Sequence, residues 1–199
     1  MSGVNNISGK SLGRRPGAGD ARESIVAAAR TLFAASGYDR TSLRQIAGLA
    51  QVDPALIMHY FGSKQQLFVE AMLPLFEGPK QLPNILAGDT STTGQRLAQF
   101  FIAMTSNPAS QQLMLGLFRS ASSEEQAAEM VRTFVGDTIV GTIEPYLPGP
   151  NKRLQANIVG SQLIGVFIAR HIVKIEPLAS ASADELIEYL SPRLQAHFG

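Results

Sequence analysis

The sequence contains no cysteine. That excludes a disulfide scaffold and a thiolate metal site, and it fits a reducing compartment. Its three histidines, His59, His171 and His197, stand far apart, and no two have the spacing of helical metal ligands. No metal and no cofactor is therefore expected. There is no cysteine nucleophile, no histidine beside clustered acids and no pair of catalytic carboxylates, so the reading is not an enzyme and no residue is assigned a catalytic role. Two short patterns near the start fail on context. Gly9-Lys10-Ser11 matches the end of a phosphate-binding loop, but Val4 stands where that loop needs glycine. Gly9-Lys10-Ser11-Leu12-Gly13 matches a nucleophile elbow, but no strand precedes it and no helix follows. Long apolar runs are also missing. The longest, Ile158 to Ala169, has twelve residues and includes Ser161 and Gln162. A bilayer asks for about twenty, so this stretch reads as a buried helix. Residues 1–19 lack the apolar run of a signal peptide. The expectation is a soluble, cytoplasmic protein with no membrane partner.

What is present is a chain of 199 residues, 45% hydrophobic, with material for a sizeable core in one large domain or two small ones. The net charge of +1 conceals a division. Residues 1–64 carry eight Lys/Arg against four Asp/Glu, and residues 65–199 carry nine against twelve. A basic front on a slightly acidic body suits a polyanionic partner. Residues 1–19 are rich in Gly, Ser and Asn, hold Lys10, Arg14 and Arg15, and contain no acid. Such a segment buries too little apolar surface to offset its ordering entropy, so a disordered basic tail is expected there.

From Asp20 onward the apolar spacing is helical. Ile25, Ala28, Ala29, Leu32 and Phe33 mark one face, and Gly37 is placed to end that helix. Thr41 is placed to cap a short helix carrying Leu43, Ile46, Ala47 and Ala50. The turn Gln51-Val52-Asp53 follows, and Asp53 with Pro54 opens another short helix to about Phe61. Ser63 caps a fourth. Residues 77–93, with Gly78, Pro79, Pro83 and Gly88, read as a connector holding one turn at Leu82–Leu86. Further helices are expected at about 94–105, 111–120, 123–143, 151–174 and 182–198. There is no β alternation. The fold class is all-α, about nine helices, divided into a tail (1–19), a helix-turn-helix DNA-binding domain (20–64) and a helical effector-binding and dimerisation domain (65–199).

Three helices within residues 20–61, the last two joined by a three-residue turn, form a helix-turn-helix pattern. The second and third are about 12 Å long, too short to be stable alone, and must be held by packing on the first. A short rigid helix with an exposed N-terminus suits a DNA major groove. Here the sequence resembles a known family. Ala28-Ala29-Arg30-x-Leu32-Phe33, Gly37-Tyr38, Thr41 to Ala47, and Tyr60-Phe61-Gly62-Ser63-Lys64 with Leu67-Phe68 look like the DNA-binding domain of the TetR (tetracycline-repressor) family. Gln51 stands where the family usually has glycine, and Met58 and His59 stand where aromatic residues are common. The resemblance implies that Thr41 caps the second helix and meets a phosphate. It implies that Arg44 reaches a guanine edge and that Pro54, Ala55 and Met58 face the groove at the start of the recognition helix. It places His59, Tyr60 and Lys64 at phosphates. Lys10, Arg14 and Arg15 would form an arm along the minor groove or a plain flexible tail.

In the body, Phe100, Met104, Met114, Phe118, Phe134 and Phe167 read either as ordinary core or as the lining of an effector cavity, and the resemblance implies the cavity. Arg119 and Arg170 lie in apolar stretches, with Glu129, Asp137 and Glu144 as candidate partners. Ser161, Gly165 and Ala169 recur at four-residue spacing on a helix that is apolar nearly all round, and Leu186, Leu190 and Leu194 mark the last helix. These six are the candidate dimer interface. The resulting reading is a DNA-binding homodimer, a repressor of transcription at a palindromic operator that a small-molecule effector releases. A second reading stays open, a helical ligand-binding or scaffold protein whose helix-turn-helix is not functional.

Overall fold

The computed structural model describes residues 18–199. The basic arm Lys10, Arg14 and Arg15 lies outside the described residues. Among these, every regular element is helical: α1 (Ala18–Arg40), α2 (Leu43–Ala50), α3 (Pro54–Phe61), α4 (Lys64–Met72), α5 (Leu82–Leu86), α6 (Thr93–Ser106), α7 (Pro108–Ser123), α8 (Glu125–Phe134), α9 (Gly141–Ile143), α10 (Lys152–Phe167) and α11 (Ala183–Gln195). A π-helical stretch, Val135–Val140, joins α8 to α9 in one rod, and another, Ile168–Val173, extends α10. With α5 a single turn, the described residues form the nine principal helices expected.

Local chemistry sets the first four helices. Gly37, at φ 75° and ψ 176°, interrupts α1, a conformation that a side chain would strain. Gln51 takes the left-handed conformation, φ 56° and ψ 42°, as the family's glycine would, at a strain of roughly 1 kcal/mol. Pro54 occupies the first turn of α3, and the Ala55 N–H donates to Asp53 Oδ1 at 2.7 Å. The Gln66 N–H donates to Ser63 Oγ at 3.0 Å, capping α4. These short helices are stable only because Ile46, Ala47, Ile57, Phe61, Leu67 and Phe68 are buried with Ile25, Ala29 and Phe33 of α1.

The same core runs on into the body through Phe68, Met72 and Phe76 to Phe101, Met114 and Leu117. A second core gathers Leu82, Leu86, Leu97, Val140, Ile143, Leu147, Val159 and Leu194. Here α11 lies against α6 so closely that a Cβ on Gly94 would stand 2.4 Å from the Gln195 backbone nitrogen. Two boundaries differ from expectation. The 111–120 helix begins at Pro108, because the Asn107 side chain accepts the Ala109 and Ser110 N–H groups and proline fits the first turn. The connector 77–93 is packed, with Pro79, Leu82 and Leu86 buried.

Candidate nucleic-acid interface and ligand cavity

The head is built so that one face of α3 is core and the other is free. Ile57 and Phe61 are fully buried, whereas Pro54, Ala55, Met58 and His59 are exposed. Arg44 is exposed on α2, and Tyr60 and Lys64 are partly buried. These seven side chains reach solvent. Thr41 does not. It is buried, and its hydroxyl donates inward to the Gly37 carbonyl at 2.8 Å and the Leu32 carbonyl at 3.2 Å. The cap of α2 is Ser42. The Gln45 N–H donates to Ser42 Oγ at 3.2 Å, and the Ser42 N–H donates to Gln45 Oε1 at 2.8 Å. Ser42-Leu43-Arg44-Gln45 has the spacing of a capping box, so the signal was present in the sequence. The exposed N-terminus of α2 thus presents Ser42 in place of Thr41.

Lys64 has a particular setting. Its ammonium stands 4.2 Å from the centre of the Tyr38 ring. Burial lowers the Lys64 pKa below its usual value. Burial, and then the Glu124 carboxylate, raise that of Tyr38. Around this pair the head is tied to the body. Ser63 Oγ donates to Glu124, and Arg119 pairs with Asp39. Arg119 is thus an exposed residue bridging α7 to the end of α1, with none of the three partners expected for it. Arg170 donates to the Leu178 carbonyl at 2.9 Å. Between α1, α4 and α6–α7 a cleft of about 490 Å³ is lined by Phe33 and Tyr38 of the head and by Phe68 and Met72 of α4.

A second cavity, of about 250 Å³, lies in the body and opens at α10, where its lining residues Asn157 and Ser161 are exposed. Phe100, Met104 and Met114 line it, as expected. Phe134 does not, but packs against Phe76, which does, with ring centres 6.2 Å apart. Phe118 and Phe167 are absent from the lining and stack on one another at 5.7 Å, beside His171. The rest of the lining comes from places that periodicity could not join: Pro79 and Leu82 of the connector, Val135 and Ile139 of the π stretch, and Asn157, Ser161 and Ile164 of α10. Phe76, Phe100 and Met104 line both the cavity and the cleft, and so form the wall between them.

The expected dimer residues divide. Leu186 and Leu194 are buried within the subunit, Leu194 completely, because α11 lays that face into the two cores. They are corrected to subunit core. Leu190 is partly buried against both cores. Ser161 and Gly165 are exposed, Ala169 is half-buried, and nothing lies within 4 Å of a Cβ placed on Gly165. The helix expected to be buried all round is therefore open on one side. Lys152–Val173 spans 22 residues, long and apolar enough by length and composition to cross a membrane, yet only 17% of its most apolar stretch is buried inside the subunit. Leu154, Ile158, Ile172 and Val173 project from it, 41–61% exposed.

A short exposed helix on a capped turn, carried by a helical body with an apolar cavity, defines a helix-turn-helix DNA-binding regulator. The comparisons with known proteins agree. Residues 25–71 match the profile described as "Bacterial regulatory proteins, tetR family", and residues 91–198 match "Tetracyclin repressor-like, C-terminal domain". The chain belongs to the TetR family of transcriptional regulators. It is 29% identical over 181 residues to the HTH-type transcriptional regulator BetI of Brucella anthropi, covering 87% of this chain and 92% of that one. A TetR-family regulator from Streptomyces coelicolor A3 is 29% identical, with a TM-score of 0.57 over 94% of this chain and 98% of that one. NalD, the secondary repressor of the MexAB-OprM multidrug efflux pump in Pseudomonas aeruginosa, shares the fold at 24% identity and a TM-score of 0.54, covering 86% and 94%.

Proposed function

We propose that this regulator is a repressor that binds a palindromic operator as a homodimer in the cytoplasm and is released when a small-molecule effector enters the body cavity. The observation that carries this reading is the wall shared by cavity and cleft. Phe76, Phe100 and Met104 touch a ligand space on one side and, on the other, the cleft bounded by Phe33 and Tyr38 of the head and Phe68 of α4. An occupant that displaces this wall favours a different head position, and its influence is limited to its differential affinity for the two arrangements. The head (20–64) reads DNA through Arg44, Pro54, Ala55 and Met58, and holds phosphate through Ser42, His59, Tyr60 and Lys64. The body (65–199) carries the effector site and the dimer face. The named relatives support the repressor reading, since NalD is described as a repressor and BetI as a transcriptional regulator.

The open side of α10, with exposed Ile158, Ser161 and Gly165 and with half-buried Ala169 of the π stretch beyond it, is the face assigned to the second subunit. Its apolar residues are poorly covered within one copy, and a two-fold symmetric operator asks for two heads. Gly165→Leu adds bulk to this face on both subunits, and overpacking of 1–3 kcal/mol per site sums to roughly 2–6 kcal/mol on one interface. The dimer's dissociation constant rises by about 30-fold or more. Sedimentation at low micromolar concentration then shows monomer, with helical content retained. An unchanged dimer would exclude this face.

A further inference from the structure

We infer that the body cavity selects uncharged, compact hydrocarbon-like molecules of about ten to eleven heavy atoms carrying at most one hydrogen-bond donor. This deepens the reading of the cavity as the effector site and rests on it. Its size follows from volume. An apolar cavity of about 150 Å³ holds one benzene, so by proportion the 250 Å³ here holds a molecule of about ten heavy atoms. Its chemistry follows from the lining. Among the described residues no ionisable side chain faces the cavity, and the only polar side chains are Asn157 and Ser161 of α10. Both have already used a donor on their own helix. Asn157 Nδ2 donates to the Arg153 carbonyl and Ser161 Oγ to the Ile158 carbonyl, each at 2.8 Å. What they offer an occupant is acceptor oxygen and the second Asn157 amide N–H at the α10 edge, which suits a single hydroxyl. A charged group carried past the α10 mouth would leave water for an apolar space with no counter-charge, and this penalty falls on cations and anions alike. The thioethers of Met104 and Met114 and the ring of Phe100 supply an adaptable apolar surface.

The test uses the full chain labelled with carbon-13 at its methionine methyl groups, assigned by single Met→Leu variants. Methionine positions separate the two spaces: Met114 lines only the cavity, Met72 only the cleft, and Met104 both. The probes are three molecules of equal heavy-atom count: 3-tert-butylphenol, its isosteric cation 3-hydroxyphenyltrimethylammonium, and 4-ethylbenzoate. The expected result is that the phenol shifts Met104 and Met114 while both ions bind at least about a hundredfold more weakly. A cation or benzoate that binds Met114's surroundings as tightly as the phenol overturns the selectivity and leaves the effector reading standing. Shifts at Met72 without Met114 place the occupant in the cleft and overturn the inference. If no probe shifts Met114 at millimolar concentration, the inference falls, and the effector reading is left to ligands of another chemistry. A phenol that binds with the expected preference but leaves DNA affinity unchanged upholds the inference and removes the effector reading.

Discussion

Gly116→Ala adds a single carbon where the head meets the body. A Cβ at this position of α7 would stand 2.3 Å from Cζ of Phe68, on α4. Neighbouring rings confine the Phe68 ring on the sides away from the cleft. It is 1% exposed, with the Phe33 ring edge-on at 4.8 Å and the Tyr38 ring at 5.1 Å. Two effects compete. Replacing a mid-helix glycine by alanine favours the helix by about 1 kcal/mol. Overpacking a filled core typically costs 1–3 kcal/mol, and an overlap of this size belongs in the upper half of that range. The net is a loss of roughly 1–2 kcal/mol, or a fall in Tm of about 2–8 °C for a chain of this length. Phe68→Leu, which takes away the colliding ring atoms, supplies the control. In that background Gly116→Ala becomes neutral or stabilising by up to about 1 kcal/mol, giving a coupling of roughly 1–3 kcal/mol. Urea unfolding followed by circular dichroism at one fixed protomer concentration measures all four proteins. If Gly116→Ala stabilises the chain equally in both backgrounds, the joint between α4 and α7 is loose and the steric argument fails.

At the DNA face, Lys64→Ala should weaken binding to all sequences alike and reduce the slope of affinity against salt by about one, as read by fluorescence anisotropy. An unchanged slope would leave Lys64 as a partner of Tyr38 alone. Arg44→Ala should lose roughly 1–3 kcal/mol on the preferred site and relax preference at one base pair per half-site, whereas an equal loss on random DNA would make Arg44 a backbone contact. Burial, and then the Arg170 charge, hold His171 below its ordinary pKa, so the folded state favours the neutral ring. That contribution is present above about pH 6.5, is lost as pH falls toward the lowered folded value, and levels off beneath it. His171→Gln should flatten this part of the stability profile, and an identical profile would show that His171 does not titrate differently on unfolding.

Features made by neighbours in the chain were readable in advance. Gly37, the left-handed Gln51, the Asp53-Pro54 start and the Ser63 cap each depend on a few consecutive residues. The cap of α2 is legible too, because Ser42, and not Thr41, has Gln at the third position on. Long-range features were not readable. The spacing of Leu186 and Leu194 marks an apolar stripe, and it cannot say whether α6 or a second subunit covers it. Arg119 finds Asp39, eighty positions away, at a joint made only by folding. The cavity draws Phe76 from beyond α4, and Pro79 and Leu82 from a segment whose proline and glycine mark it as a connector. Phe118 and Phe167 looked equally suited to the lining, but their rings satisfy each other.

The central claim is that two copies of this chain read one symmetric operator and let go when the cavity fills. Footprinting on fragments selected from random DNA by the purified protein tests it most directly, with fluorescence anisotropy run on the selected sequence. The account predicts two equivalent protected half-sites whose centres lie about 34 Å, or a multiple of it, apart along one side of the duplex. It also predicts a stoichiometry of two chains per operator for a single dimer, and a loss of affinity on adding 3-tert-butylphenol. Failure to enrich any sequence, or a single asymmetric half-site bound by one chain and indifferent to the phenol, would contradict it.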